Sequence, residues 1–166
     1  MAQKSTIKRF RDPQLDTTGD VVGFYEREFF VFSNFSSFQV DWKGRRWATS
    51  EHAYQAAHFF ETAPELVEEI YHSRSAHYAY KLAKANGHLA PKNWEDVKVD
   101  IMYDICWHKM HQNPYVYAKL LMTEQEYIVE DSNKDGFWGW GADRQGRNEL
   151  GKIWMRLRDQ IREGEA

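Results

Sequence analysis

The spacing of hydrophobic residues predicts short strands early in the chain, a series of helices, and one strand that returns late. Residues 21–32 are dense in β-branched and aromatic side chains, which favours a strand. Residues 38–47 alternate on either side of Lys43-Gly44, a pattern typical of a β-hairpin with a tight turn. Residues 126–131 alternate again and predict the returning strand.

Helical spacing and capping residues mark most of the remaining chain. The predicted helices are residues 50–60, a helix opening at Thr62-Ala63-Pro64-Glu65, residues 75–86, 93–113 and 114–122, and a last helix marked by Leu150, Ile153, Trp154, Leu157 and Ile161. Thr49 or Ser50 caps the first, Thr62 has capping-box spacing to Glu65, and Gly87 ends the third. In the long fourth helix, the predicted apolar stripe consists of Val97, Ile101, Ile105 and His108.

This order of elements predicts an α+β fold: a single, mostly helical domain with a small antiparallel sheet. The domain is expected to span residues 21–163, and the polar residues 1–20 are expected to form a loose arm. A length of 166 residues fits one domain.

Composition narrows the class of protein. Aromatic residues make up 16% of the chain, including seven Trp, and such rings either fill a core or stack on flat ligands. The net charge of −3 argues against strong non-specific binding of nucleic acid, but it does not exclude a nucleic-acid substrate held at one local spot. Cys106 is the only cysteine, so neither an intrachain disulfide nor a multi-cysteine metal site is possible.

The chain is expected to be cytoplasmic and to have no membrane partner. Its first ten residues are basic but lack an apolar signal region, and no apolar run approaches the ~18–20 residues needed to cross a bilayer.

Three segments have residue types suited to chemistry rather than to scaffold. In residues 32–36, polar groups stand between aromatic rings, although an ordinary turn explains them equally well. At the start of the first helix, Glu51, Gln55 and His58 fall at i, i+4 and i+7 and share one face. A carboxylate there can stabilise an oxocarbenium-like centre or orient water, yet glutamate in a first turn is also favourable for stability alone.

The third segment, residues 130–151, contains five glycines and leads into the last helix, whose N-terminus is a possible phosphate site. The alternative is an ordinary capped turn in which Trp138 and Trp140 plug the core. Metal sites and a Ser-His-Asp triad are rejected, because the chain has neither H-E-x-x-H nor G-x-S-x-G. Cys106 is expected to be a buried thiol.

Five blocks, in order, resemble the NADAR family, also called YbiA-like. They are Ser33-Asn34-Phe35, the run from Trp47 to Gln55, Asn93-Trp94-Glu95, Glu130 to Gly139, and the run from Gly146 to Gly151. Each block is a weak signal alone, whereas the ordered set, over about residues 22–161, is specific.

The resemblance implies a metal-independent N-glycosidase without a cofactor. Its substrate would be either a ribosylamino-pyrimidine intermediate of riboflavin synthesis or ADP-ribose attached to guanine, including guanine in nucleic acid. Carried over by motif, the catalytic candidates are Glu51 and Asp135. The substrate-binding candidates are Asn34, Trp94, Trp138, Gly146 and Asn148.

Two departures from the family pattern bear on the substrate. The family's Gln-Ala-Gln-Lys-Phe reads Gln55-Ala56-Ala57-His58-Phe59 here, so a lysine given a Schiff-base role in ADP-ribosyl-guanine removal is absent. His58 cannot form that imine, but a pKa near neutrality would let it act as general acid or base. The family's Gly-Arg is Gly87-His88, which removes a phosphate-pairing arginine.

Two alternatives to catalysis stay open. One is a module that binds ADP-ribose or a related nucleotide without cleaving it, which the His58 and His88 substitutions favour. The other is a purely structural or interaction domain, with the Trp cluster as its core.

Overall fold

The computed structural model describes residues 21–24 and 27–164, so the arm predicted at residues 1–20 lies outside the described residues. The helices are α1 (Ser50–Ala57), α2 (Pro64–Tyr71), α3 (Ala76–Ala85), α4 (Trp94–Gln112), α5 (Pro114–Met122) and α6 (Glu149–Glu163). The strands are β1 (Val21–Phe24), β2 (Val40–Trp42), β3 (Arg45–Trp47) and β4 (Tyr127–Glu130), and short 3₁₀ helices cover Arg27–Phe32 and Gly87–Leu89. The predicted α+β fold, mostly helical with a small antiparallel sheet, is confirmed.

The chain divides into two compact units. One contains the described residues up to Phe32 and from Ala118 onward, and the other is the continuous stretch Ser33–Tyr117. No helix in the described part of the chain combines the length and apolar character needed to span a membrane.

The Ser33–Tyr117 unit is built around α1, every residue of which is buried. This helix packs against α2, α3 and α4. Its first turn is fixed by Thr49, whose side chain accepts a hydrogen bond from the His52 N–H, as a capping residue should. Because every residue of α1 is largely buried, its polar side chains lie mostly among protein neighbours.

The predicted hairpin is confirmed as β2 and β3, which pair antiparallel. Both turn residues, Lys43 and Gly44, have positive φ, as a two-residue hairpin turn of this kind requires. The hairpin packs on α4, and the Trp42 indole N–H donates to Asp104 at 2.7 Å.

In the other unit, β1 and β4 form a second small sheet, in which they pair parallel. Helix α6 packs against β4 and contributes Trp154 to an aromatic cluster. Phe24, Phe29 and Trp154 surround Phe32 with ring centroids 5.1–5.8 Å away. The Trp154 indole N–H also donates to the Phe32 carbonyl at 3.0 Å, so the buried ring has its polar group satisfied.

Three local predictions are wrong. The strand predicted for residues 21–32 ends at Phe24, and a 3₁₀ helix follows it from Arg27. Helix α2 is preceded by Ala63, which makes no side-chain cap, so the Thr62 capping box does not form. The predicted end of the third helix is confirmed, since α3 ends at Ala85 with Asn86 as its C-cap and Gly87 directly after it, where a 3₁₀ turn begins.

The third wrong prediction concerns the face of α4 that enters the core. The buried residues of α4 are Trp94, Met102, Ile105, Cys106, Lys109 and Met110. Only Ile105 is shared with the predicted stripe, whose other three members are half-buried. Because Lys109 lies on the buried face of α4, the spacing of apolar residues alone predicts the wrong face.

Candidate active site

Asn34 joins the Ser-Asn-Phe segment to the beginning of α1. Its backbone carbonyl accepts the Glu51 N–H at 3.1 Å, and its side-chain Oδ1 accepts the Ser50 hydroxyl at 3.1 Å. The Asn34 amide N–H also points to the sulfur of Met102 on α4, at 3.2 Å. This residue is buried, so two of the three predicted chemical segments meet at one polar contact inside the unit.

Glu51 is a carboxylate held in a defined orientation inside the protein. Only 5% of the residue is exposed, and its Oε1 accepts the Gln55 amide N–H at 2.7 Å. Glu51 lies in the first turn of α1, where the partial positive charge of the helix terminus favours a negative group. The predicted shared face of Glu51 and Gln55 is therefore present as a direct hydrogen bond.

His58 ends the same face and is electrically neutral at pH 7. Its Nδ1 lies 3.1 Å from the carbonyls of both Tyr54 and Gln55, so Nδ1 carries the proton and Nε2 the lone pair. Burial lowers the pKa of His58 to about 4. The expectation of a pKa near neutrality is wrong, and His58 is an acceptor rather than an acid at pH 7.

Trp94 lies directly against His58. The two rings are 3.8 Å apart between centroids and inclined by 30°, and Tyr54 lies 5.6 Å from Trp94 on the same helix as His58. The indole is buried, and the imidazole covers part of one face. A ligand ring that uses Trp94 as a wall therefore has to contact the other face or the edge.

Lys109 is the residue of this region that sequence reasoning missed. Its ammonium is fully buried and donates to the Ser33 carbonyl at 3.0 Å and the Ser36 hydroxyl at 2.8 Å. The available signal was its position seven residues after Met102 and three after Cys106, on the buried face of α4.

In the other unit, Asp135 organises the turn that carries Trp138. Its Oδ1 accepts the backbone N–H groups of Phe137 at 2.9 Å and Trp138 at 2.8 Å. The other carboxylate oxygen makes no hydrogen bond to any residue that the structure describes. Asp135 thus has one structural oxygen and one oxygen left for a ligand.

The glycine-rich loop satisfies its own backbone at the start of α6. The N–H groups of Glu149 and Leu150 donate to the carbonyls of Phe137 and Trp138, at 3.0 and 3.1 Å. Gly146 sits so close to the loop that an added Cβ would lie 2.7 Å from the Gly139 carbonyl oxygen. Two of the N–H groups expected to hold a phosphate are therefore already bonded, which weakens this helix end as an anion site.

Asn148 fastens the loop to β4. Its Oδ1 accepts the Glu130 N–H and its Nδ2 donates to the Ile128 carbonyl, both at 2.9 Å. The residue is buried with left-handed backbone dihedrals. Its side chain thus hydrogen-bonds to the backbone of β4 as a neighbouring strand would. A substrate-binding role for Asn148 stays a prediction.

The eight predicted site residues thus form two groups. Asn34, Glu51, His58 and Trp94 belong to the Ser33–Tyr117 unit, and Asp135, Trp138, Gly146 and Asn148 belong to the other. Direct contacts join Asn34 with Glu51, His58 with Trp94, and Asp135 with Trp138. Within the described ranges, no three His, Cys, Asp or Glu side chains come together as a metal site would require.

The model of the NADAR domain matches residues 23–162, which is most of the chain. This chain belongs to the NADAR domain family. The residues of both groups fall inside the matched range.

Two relatives of similar length carry the name N-glycosidase. The N-glycosidase YbiA of Escherichia coli (strain K12) is 33% identical over 143 residues, which cover 85% of this chain and 88% of that protein. The N-glycosidase Npun_R5314 of Nostoc punctiforme is 34% identical over 132 residues, 79% of this chain and 85% of that protein.

A longer relative, the riboflavin biosynthesis protein VVA0006 of Vibrio vulnificus, is 35% identical over 131 residues. Those residues cover 79% of this chain but 35% of the Vibrio protein, so this chain matches about a third of it. Among solved structures, the NMR structure of E. coli YbiA superposes with a TM-score of 0.79 at 32% identity, covering 87% of this chain and 86% of that one. The fold expected of the NADAR family is confirmed.

Proposed function

We propose that this protein is an N-glycosidase that hydrolyses the bond between a phosphorylated ribose and a base-like ring. Membership of a family whose similar-length members are named N-glycosidases supports the reaction type. The observation that carries the proposal is Glu51, a buried carboxylate in the first turn of α1, oriented by Gln55. Such a group is suited to stabilising positive charge at C1′ as the glycosidic bond breaks.

Glu51 and Asp135 are the two catalytic candidates of this proposal. A carboxylate can stabilise the developing charge at C1′ or activate the water that replaces the leaving ring. The unbonded oxygen of Asp135 supports its part, since its partner oxygen already holds the turn. His58, neutral with a free Nε2 lone pair, serves as a hydrogen-bond acceptor for the substrate or for water.

The ring and the phosphate are recognised by different groups. Trp94 and Trp138 are each candidates for contact with the leaving ring, and His58 already occupies part of one Trp94 face. Because the Glu149 and Leu150 amides are bonded within the loop, the phosphate is held mainly by cationic side chains. Arg147, whose largely exposed side chain pairs with Glu149 at 2.9 Å beside the start of α6, is the first candidate, and a phosphate would compete with Glu149 for it.

The experiment follows release of the ring by chromatography from both substrate types, the ribosylamino-pyrimidine 5-phosphate and ADP-ribosyl-guanine. The proposal expects catalytic release from at least one of them without added metal or cofactor. Tight binding of ADP-ribose with no release from either would select the non-cleaving module. No release and no nucleotide-dependent rise in melting temperature would leave a structural domain.

One surface favours guanine within nucleic acid as the second candidate substrate. Residues 73–93 contain four Lys or Arg and no Asp or Glu, although the whole chain has a net charge of −3. All four cations are exposed, and none forms an ion pair with a residue that the structure describes. Tyr78 and Tyr80, both exposed, lie among them, with Arg74 5.1 Å from the Tyr78 ring.

Cations interleaved with aromatic rings suit the backbone and bases of a single strand. The buried alanines of α3 face the core, and α3 packs on α1, the helix that carries Glu51. We therefore propose that the exposed face of α3 guides a polynucleotide substrate toward the Glu51 region.

Charge reversal on α3 tests this candidate. Lys81→Glu with Lys84→Glu should weaken binding of an ADP-ribosylated oligonucleotide. The slope of the logarithm of the binding constant against the logarithm of salt concentration should become shallower by about 0.7 for each phosphate contact that is lost. Release from the small ADP-ribosyl-guanosine should be unchanged. The control pair Lys43→Glu with Lys134→Glu makes the same change of net charge elsewhere. Equal losses in both pairs would show only a general effect of charge, and no loss in the α3 pair would remove nucleic acid as the preferred partner.

A further inference from the structure

Lys109 is a fully buried cation on α4, a helix face otherwise lined by apolar side chains such as Met102, Ile105 and Met110. Burying an ammonium costs free energy unless hydrogen bonds replace its water, and an unbranched apolar residue would fill the same space without that cost. The lysine is therefore unexpected if its task is packing alone.

The two acceptors of Lys109 belong to one turn. Its Nζ donates to the Ser33 carbonyl at 3.0 Å and to the Ser36 hydroxyl at 2.8 Å. The same hydroxyl donates to the Ser33 carbonyl at 2.8 Å, and the Phe35 N–H donates to Ser33 Oγ at 3.2 Å. The ammonium is thus part of a small closed network that fixes the turn Ser33–Ser36.

That turn holds the beginning of α1. Asn34, between the two serines, accepts the Glu51 N–H through its carbonyl and the Ser50 hydroxyl through its side chain, each at 3.1 Å. Hydrogen bonds from Lys109 to the Ser33–Ser36 turn, the peptide backbone of that turn, and the hydrogen bond from the Glu51 N–H to Asn34 therefore form a continuous path to the backbone of Glu51. Burial lowers the pKa of Lys109 to about 8, so the amine still carries its proton at pH 7.

We propose that Lys109 is a positioning residue for the N-glycosidase reaction: its ammonium fixes the Ser33–Ser36 turn, so that Asn34 holds Glu51 in its working orientation. Lys109 itself does not contact the substrate, because it is fully buried. This inference rests on the proposed function of Glu51.

The decisive variant is Lys109→Met, which keeps the shape of the side chain and removes the ammonium. Hydrogen exchange of the Glu51 N–H should become about tenfold faster or more, as the bond to Asn34 loosens. In the activity assay, kcat should fall on the order of 10²-fold with little change in KM, since misplacement of a reacting group acts on the chemical step. Lys109→Arg, which keeps the charge, should restore part of kcat.

Arg158→Met is the matched control, because Arg158 is another buried cation that donates to a hydroxyl, that of Thr123, and to a carbonyl, that of Glu126. It should leave both the Glu51 exchange rate and kcat unchanged in the folded protein. If Lys109→Met does not fold, Ser36→Ala removes one acceptor instead and should give a smaller change of the same kind.

The outcomes separate this inference from the proposed function. Unchanged Glu51 exchange in Lys109→Met, or faster exchange with wild-type kcat, overturns the positioning role. A loss of kcat in Arg158→Met equal to that in Lys109→Met also overturns it. If Lys109→Met exchanges the Glu51 N–H faster but the wild-type protein releases no ring, the contact path is supported and the N-glycosidase proposal is contradicted.

Discussion

At the scale of single residues, Glu51 in the first turn of α1 and His58, which caps the end of α1, have different surroundings. Glu51 accepts a hydrogen bond from the Gln55 amide, whereas His58 donates to backbone carbonyls and lies against Trp94. The contact between Glu51 and Gln55 was predictable from the spacing in the sequence, because a helix brings i and i+4 together. The low pKa of His58 was not, since it depends on burial, which spacing within one helix does not show.

The lowered pKa of His58 predicts a loss of stability in acid. The unfolded chain takes up the proton near pH 6.5 and the folded one only near pH 4, so the stabilising effect of keeping His58 neutral is complete above about pH 6.5 and is lost as pH falls toward 4. Urea unfolding at pH 7 and pH 4.5 should show a smaller acid loss in His58→Asn, by about 2 kcal/mol.

The same measurement on the wild type sets the reference, and the comparison uses the difference between the two pH values rather than either stability alone. An identical acid loss in His58→Asn and wild type would show that His58 is not held neutral by its burial. The buried His52, whose pKa is also lowered by burial, remains in both proteins and contributes equally to each.

Lys109 illustrates another limit of sequence reasoning at this scale. A lysine within a helical pattern is normally placed on the solvent face, and apolar periodicity then shifts the predicted stripe toward His108. The acceptors that allow Lys109 to be buried, Ser33 and Ser36, lie more than 70 residues earlier in the chain. Helical periodicity contains no information about such a distant partner.

At the scale of elements, the sequence correctly predicted features that depend on residues close together in the chain. The β2–β3 hairpin follows from Lys43-Gly44, and the start of α1 from Thr49. The parallel pairing of β1 with β4 joins segments about a hundred residues apart, so neither segment alone could predict it. The early end of β1 has the same origin, because β-propensity does not show how far a partner strand extends.

The glycine-rich loop is an element whose glycines have individually different roles. An added Cβ at Gly151 would lie 2.2 Å from the Ile128 carbonyl oxygen and 2.4 Å from the Asn148 amide nitrogen. At Gly136, in the same loop, an added Cβ meets nothing within 4 Å, and φ is not positive. Sequence alone indicated that the loop needs glycine but not which glycines are required.

Substitution of these two glycines tests the packing of the loop on β4. Gly151→Ala should lower the free energy of unfolding by about 3 kcal/mol or more, because the methyl group must displace the β4 backbone and the Asn148 side chain that is hydrogen-bonded to it. Gly136→Ala should change it by less than about 1 kcal/mol. Thermal and urea unfolding measure both variants, and equal stability of the two would contradict the close approach of α6 to β4.

At the scale of the whole molecule, the sequence supported the family and the fold more firmly than the site. Five ordered motif blocks led to the NADAR family, and the family match and the similarity to YbiA confirm it. The candidate residues divide into two sets, one around Glu51 and one around Asp135, each set in its own unit of the chain. The joint action of the two carboxylates therefore stays a prediction, and Glu51 is the better supported of the two.

The central claim is tested most directly by Glu51→Gln, measured against Glu65→Gln. Both residues are glutamates in the first turn of a helix, but Glu65 on α2 is exposed, whereas Glu51 is buried beside Gln55. Ring release is followed by chromatography, with melting temperature and ADP-ribose binding measured on the same samples. Glu51→Gln should lower kcat about 10³-fold or more with fold and binding retained, because only the charge is removed, and Glu65→Gln should keep the wild-type rate. A near-normal rate in Glu51→Gln would contradict the account.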